Sequence, residues 1–483
     1  MSDSSEEYSN SPVIDRNPSP PPENEEAEAT DEVDAIGATV YSKHWLFSTL
    51  TRLIQAITEQ NSGDGDGLSE LSEEQEDELC KVWDMAMDQD VAGFLQEFKA
   101  PDILLGVIAK SRCPRLTEIC VGILGNMACF HDTCLDLSQN EDLAAVLLLL
   151  LGDTDPPTLL ETCRLLLTCM SHADVSSLWL ERIRQQPSVC PNLCFIMSSS
   201  TNVDLLVKVG ELVDKLFDED EELMKRWVSG GGCLGDQNEG DCNGDEPRPD
   251  VTTSLLEAAK QLRSESPEGL EVYLHAIQLL TTVDVGIQAM VCEDGPGGAV
   301  WAFLCAVVCE DLCQPDDPAL SLQEQKGLLG PAVAVLSVLY ACQDQHVSAD
   351  TNLNLVGSAL RVLQYHHENQ LNRGQEGHSD SGHAQRREEE EEEGHGEEDE
   401  RLTALVECTC ELLASILLVM SRDEVLELIK KRFLTEKNCS SATKALLPQH
   451  TAAAQHLVGV LSDVEPKMAD SVRKEVPSLK AQS

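Results

Sequence analysis

Apolar residues recur at three- and four-residue spacing along most of this chain. Val40, Trp45, Leu46, Leu50, Leu53, Ile54 and Ile57 mark one amphipathic helix. A second opens at Ser72-Glu73-Glu74-Gln75, where serine and glutamine can exchange capping bonds, and runs on through Leu79, Val82, Trp83 and Met87. The same spacing predicts helices near 89–98, 102–110, 115–130, 140–151, 156–171, 174–185, 189–198, 202–217 and 220–228. Asp155-Pro156-Pro157 starts one of them, with Asp as the cap and proline tolerated in the first turn. Further helices are predicted near 251–263, 269–282, 297–313, 325–342, 351–366 and 401–420. A second capping box follows at Ser421-Arg422-Asp423-Glu424, then helices near 439–446, 451–462 and 466–475. Alternation with period two is absent from this pattern, which argues against a β-rich fold.

Many of these helices are apolar on two sides and need neighbours on both. A weak internal repeat supplies them. Glu118-Ile119-Cys120 superposes on Glu161-Thr162-Cys163 at an offset of 43, Leu124 then falls on Leu167, and Cys163 on Leu206. A period near 43 lies in the range of armadillo and HEAT repeats, whose stacked helices each cover their neighbours. The expected fold class is therefore all-α, an armadillo/HEAT-like α-solenoid with an acidic N-terminal tail and acidic loop insertions. The division that follows is a Pro-rich acidic tail over 1–38, helical repeats over 39–229, a Gly/Asp-rich loop over 230–250 and further repeats over 251–366. A Glu-rich insertion over 367–400, C-terminal helices over 401–476 and a tail over 477–483 complete it. The tail 1–38 and the insertion 367–400 are expected to be disordered, because like charges without apolar residues cannot offset ordering entropy.

Charge sharpens this picture. The 483 residues carry a formal charge of −52, and four stretches, 1–35, 59–79, 230–250 and 367–400, hold −34 of it. What remains is an ordinary acidic surface, and direct nucleic-acid binding is disfavoured for want of a cationic stripe. The longest apolar run, Leu143 to Leu151, is half of what a membrane span needs, so no membrane partner is expected. The start MSDSSEEYSN has neither a basic nor an apolar leader, and the 19 cysteines read as reduced thiols packed in helices. The protein is expected not to be secreted.

Glu118 to Ala128 reads Glu-Ile-Cys-Val-Gly-Ile-Leu-Gly-Asn-Met-Ala and resembles the third helix of an armadillo repeat. Longer strings point to one family. They are Tyr41-Ser42-Lys43-His44-Trp45-Leu46-Phe47, Val82-Trp83-Asp84-Met85, Cys113-Pro114-Arg115-Leu116, the run from Ile196 to Lys208, and Pro477-Ser478-Leu479-Lys480. On these the chain resembles the serum amyloid A-like family of armadillo-type proteins, which is distinct from serum amyloid A itself. The resemblance implies no enzymatic activity and no cofactor. It also implies a nuclear location, with the cytoplasm as a second compartment, and a role in promoting cell proliferation in inflammatory settings. In peptide-binding armadillo proteins a ladder of asparagines lines the groove; here Asn126 is a candidate partner-binding residue, but Cys169 stands one repeat on.

Other motifs have bland readings. Cys305, Cys309 and Cys313 share a helix face at i, i+4 and i+8, as do Cys190 and Cys194, which suits packing rather than a metal site. Asp241-x-Asn243-x-Asp245 opens like a calcium loop but has Glu246 where glycine is needed and Thr252 where glutamate is needed. His366, His367, His378, His383 and His395 accompany the glutamate run as part of a solvated linker. Lys430-Lys431-Arg432 sits at a helix C-terminus, where cations suit the dipole. Ser4, Ser11 and Ser19 are candidate phosphorylation sites. The expected function is a non-enzymatic scaffold binding partner proteins on a concave helical surface. The alternative is a chaperone of histones or other basic proteins that engages them through Glu388 to Glu393.

Overall fold

A computed structural model of the protein describes residues 34–60, 71–230, 250–293, 295–314, 322, 324–342, 349–376 and 388–480. Among them there is no strand beyond a single isolated bridge, between Ala35 and Ser42. The chain forms two compact units, 1–192 and 193–483.

In the first unit the helices are α1 (Lys43–Gln60), α2 (Glu73–Met85), α3 (Gln89–Glu97), α4 (Ala100–Ile108), α5 (Pro114–Met127), α6 (His131–Gln139), α7 (Glu141–Leu150), α8 (Pro156–Ser171) and α9 (Ala173–Gln185). Start signals act locally. Ser72 and Gln75 form the expected capping box, and Asp155 accepts from the Thr158 N–H ahead of two prolines. Helices α2, α5 and α8 stack side by side, with α5 in the middle. Its residues 119–127 are buried without a break, which only an element covered on both sides can be. Each Leu or Ile removed from water there contributes about 1.5–3 kcal/mol.

The 43-residue offset is also the period of the bonds between repeats. Asn126 Nδ2 donates to the Trp83 carbonyl (2.8 Å), Arg164 to the Gly122 carbonyl (3.1 Å) and Trp179 Nε1 to Ser138 Oγ (2.9 Å). His172 Nε2 lies 3.0 Å from the Ala128 carbonyl, which can only accept, so this nitrogen carries the proton. These pairs are 41 to 44 residues apart. The first unit is a stack of helical repeats, and the fold class read from the sequence stands: all-α, of the armadillo-like solenoid kind.

Helix α10 (Val189–Ser199) spans the division between the units. The second unit continues with α11 (Val203–Glu219), α12 (Glu221–Val228), α13 (Val251–Leu262), α14 (Pro267–Leu280), α15 (Asp284–Val291) and α16 (Gly297–Ala306). A π-helical turn follows at Val307–Leu312, then α17 (Lys326–Cys342), α18 (Ala349–Glu376), α19 (Glu388–Val419), α20 (Arg422–Lys430), α21 (Glu436–Leu446), α22 (Thr451–Val464) and α23 (Pro466–Glu475). Here α11, α14, α17, α19 and α22 form the continuous ladder, each packed on the next. Helices α11 and α14 start 64 residues apart, 21 more than the period, and the stretch 230–250 is 21 residues long. The loop is an insertion into a repeat, not a break in the stack of this unit's helices.

Several expectations need correction. Helices α6 and α15 were not expected; their buried positions are partly Thr133, Cys134, Ser138 and Gly286, too small or polar to register as an apolar stripe. The helix expected over 297–313 widens into the π turn, so Cys305, Cys309 and Cys313 do not keep one α-helical face. Within the supposed disordered insertion 367–400, α18 extends to Glu376 and α19 begins at Glu388. Glutamate is a good helix former, and carboxylates in the first turns suit the positive end of the helix dipole. The tail to residue 33, the loop 231–249 and the segment 377–387 lie outside the described residues. Finally, Glu400–Val419 is long and apolar enough to cross a membrane, although Glu407 and Glu411 interrupt its apolar run, and half of it is buried within the protein.

Candidate functional site

The ladder of the second unit carries an open groove of about 580 Å³, lined by α11, α14, α17 and α19. Its floor comes from an unusual stretch of α17, Gly327-Leu328-Leu329-Gly330-Pro331. Leu328 and Leu329 turn inward and are buried, while Gly327, Gly330 and Pro331 line the groove. Proline has no N–H, so it cannot take up the Gly327 carbonyl in the α-helical pattern. A Cβ on Gly330 would meet nothing within 4 Å, whereas one on Gly327 would lie 2.7 Å from the Glu271 carboxylate. Backbone is thus bare at Gly330, where a longer side chain would occupy the space, while the Glu271 carboxylate covers Gly327. An interior glycine and a proline cost helix stability, at about 1 kcal/mol for Gly330 and about 3 for Pro331.

One wall, from α11 and α14, carries Asp214, Glu268, Glu271 and His275; Lys326 belongs to the floor helix α17 and Arg401 to α19. His275 Nδ1 pairs with Asp214 Oδ1 at 2.7 Å, and Arg401 lies 3.5 Å from Glu271. The imidazole pKa is raised, first by the hydrogen bond to Asp214, with Asp218 and Glu271 adding to it against the opposing effect of burial. The ring therefore reports a local negative potential on this wall. Val272, Ala404 and Leu405 add apolar surface between the charged groups.

The residues singled out from sequence lie elsewhere. Asn126 is 5% exposed and spends its amide nitrogen on Trp83 of the preceding repeat, so it holds the stack together and does not line an open surface. The bond to the Trp83 carbonyl sets the direction of this side chain. Ser4, Ser11 and Ser19, the calcium-like loop at Asp241, and His378 and His383 fall outside the described residues. His366 has its pKa lowered, first by burial and then by the charge of His367. Lys430 pairs with Glu427 at 2.6 Å, one helical turn back.

Most of the described thiols are buried packing groups. Burial holds Cys163 and Cys439 up at about 12 and Cys309 at about 11, where the reactive thiolate is scarce. Cys134 is held down to about 7 by its hydrogen bond with Cys169, yet its side chain is 0% exposed. A substrate has no path to it in this conformation. Among the described residues no group of three or more His, Cys, Asp or Glu side chains is placed to hold a metal ion.

Comparison with known proteins now gives the lineage. Residues 189–454 match the family model described as the SAAL1 C-terminal domain, which covers the whole groove. The chain is 62% identical to Protein saal1 of Danio rerio over 468 residues, 96% of this chain and 94% of that one. The chain belongs to the SAAL1 family. Protein SAAL1 of Homo sapiens is 47% identical over 480 residues, covering 97% of this chain and all of that one. SAAL1 denotes the serum amyloid A-like 1 protein, in agreement with the strings from Tyr41 to Lys480. Among solved structures, a designed armadillo repeat protein, YIII(Dq)4CqI, aligns with a TM-score of 0.38 at 16% identity, over 59% of this chain and 99% of that one.

The groove was missed in the sequence because α17 reads as one apolar helix. A signal was present: Gly-x-x-Gly-Pro inside a helical pattern breaks local propensity, and such breaks concentrate where backbone must be approached closely.

Proposed function

We propose that this SAAL1-family chain is a non-enzymatic scaffold that holds protein partners in the groove of its second unit. The observation that carries this reading is the bare backbone at Gly330, beside Pro331, kept open at a cost in helix stability. By family resemblance the scaffold works in the nucleus, with the cytoplasm as a second compartment, and promotes cell proliferation in inflammatory settings. Nucleic acid and membrane are not among the proposed partners: the walls are of mixed charge, and the apolar segment Glu400–Val419 is half engaged in the protein's own core. The division into repeats 39–229 and 251–366 and C-terminal helices 401–476 belongs to the same proposal, as does phosphorylation of Ser4, Ser11 or Ser19 as a means of regulation.

The test is Gly330→Leu. The new side chain enters open space, so the melting temperature should hold while proximity labelling in nuclei loses the partners recovered by the wild-type chain. Unchanged partner recovery would remove the groove from the account.

A second reading has its own observation. Glu388 to Glu393 stand in the first turns of a long helix, and a run of six glutamates in the sequence matches the charge of a basic partner. A chaperone acting through them binds histones with steep salt dependence and loses that binding when 380–400 is deleted. Groove binding survives the same deletion.

A further inference from the structure

The groove also constrains what enters it. Resting on the reading that this groove is the binding surface, we infer that its occupant is an extended protein segment that sets an arginine or lysine side chain against Asp214 and Glu268, with its main chain over Gly330 and Pro331. Three features of the molecule lead there.

The first is size and relief. A volume of about 580 Å³ is in the range of sites that take a few side chains, and a folded domain could not reach the floor. Bare glycine backbone lets another main chain approach closely, which side chains on a continuous helix would prevent.

The second is charge. Glu268 is exposed in the first turn of α14, and the Asp214 carboxylate pairs with the His275 imidazole, whose charge depends on pH. Asp218 and Glu271 add to the negative field around His275. A guanidinium or ammonium is permanently charged at neutral pH and would satisfy this wall better than His275 does; guanidinium adds bidentate geometry.

The third is asymmetry. Lys326 of the floor helix and Arg401 of α19 line the rest of the groove, so it repels a uniformly basic segment and favours one direction of a mixed one. Specificity thus resides in one cationic side chain on one wall.

Selection of a random library of linear peptides on the full-length chain tests this. Peptides retained by the wild-type protein but lost with Gly330→Leu should share an Arg or Lys at one position. Replacing that residue by Glu in a synthetic copy should weaken binding about tenfold or more, and Glu268→Lys should weaken the original peptide about fivefold while leaving the Glu copy no worse. Equal affinity for the original and the Glu copy, in peptides still sensitive to Gly330→Leu, overturns the cationic anchor and leaves the groove standing. Peptides that all survive Gly330→Leu, or a selection that yields none, overturn both. Basic peptides drawn only by the acidic loops are recognised by that survival.

Discussion

Adding one methyl group at Gly210 should destabilise the second unit, although the same change in an ordinary helix stabilises it. Gly210 lies inside α11, where glycine costs about 1 kcal/mol relative to alanine. A Cβ there would stand 2.6 Å from Cε2 and 2.9 Å from Cζ of Tyr273, which packs across from α14. Tyr273 is fully buried, and its hydroxyl donates to the Leu206 carbonyl at 2.8 Å, one turn before Gly210. The ring cannot withdraw without stretching that bond, worth about 0.5–1.5 kcal/mol, and the neighbours cannot absorb it without overpacking at about 1–3 kcal/mol. Against the propensity gain, Gly210→Ala should cost about 1–2 kcal/mol net, read as a lower urea midpoint with an unchanged slope. In a Tyr273→Phe background the ring is no longer tethered, so the same change should cost less, with a coupling of about 0.5 kcal/mol or more. A stabilising Gly210→Ala, or costs that add without coupling, would refute the close approach of α11 and α14.

Gly459, exposed inside α22 with nothing within 4 Å of a Cβ, is the counterpart: Gly459→Ala should raise stability by about 0.5–1 kcal/mol in the same urea experiment. Asn126→Ala should cost about 1–2 kcal/mol in denaturation of the first unit, because it strands the Trp83 carbonyl, and should leave groove binding unchanged. The raised pKa of His275 gives a stabilising term that is present below the ordinary imidazole value and fades as pH climbs through the raised one. An NMR titration should show this imidazole above its usual value and returning towards it in Asp214→Asn. In thiol labelling of the native protein, Cys129, Cys292 and Cys342 should react first among the described cysteines, while Cys120 and Cys163 wait for unfolding.

The stacked fold was legible in the sequence because its repeats reuse both apolar spacing and charged positions. Glu118 and Glu161, matched by the offset of 43, each pair with an arginine three residues before or after, Arg115 and Arg164. Cap residues at Ser72, Asp155 and Ser421 were equally readable, since capping depends on neighbours within a turn. The remainder depends on tertiary contact. Helix α6 is buried through Thr133, Cys134 and Ser138, and the Ser138 hydroxyl earns its place only by meeting Trp179 of the next repeat. Asn126 matched a groove position of armadillo repeats in sequence, but its direction was decided by a carbonyl 43 residues away. The groove is assembled by four helices from residue 214 to residue 408, and no local pattern can bring those residues together.

The central claim, that partners occupy the groove of the second unit, is tested most directly by photo-crosslinking from Ala404, which lines it and is exposed on α19. A benzoylphenylalanine placed there in the full-length chain should form adducts with partner proteins in nuclei. The account predicts that these adducts disappear with Gly330→Leu and are competed by the selected Arg- or Lys-bearing peptide. Adducts that persist under both conditions, or that form only from positions outside the groove, would contradict it.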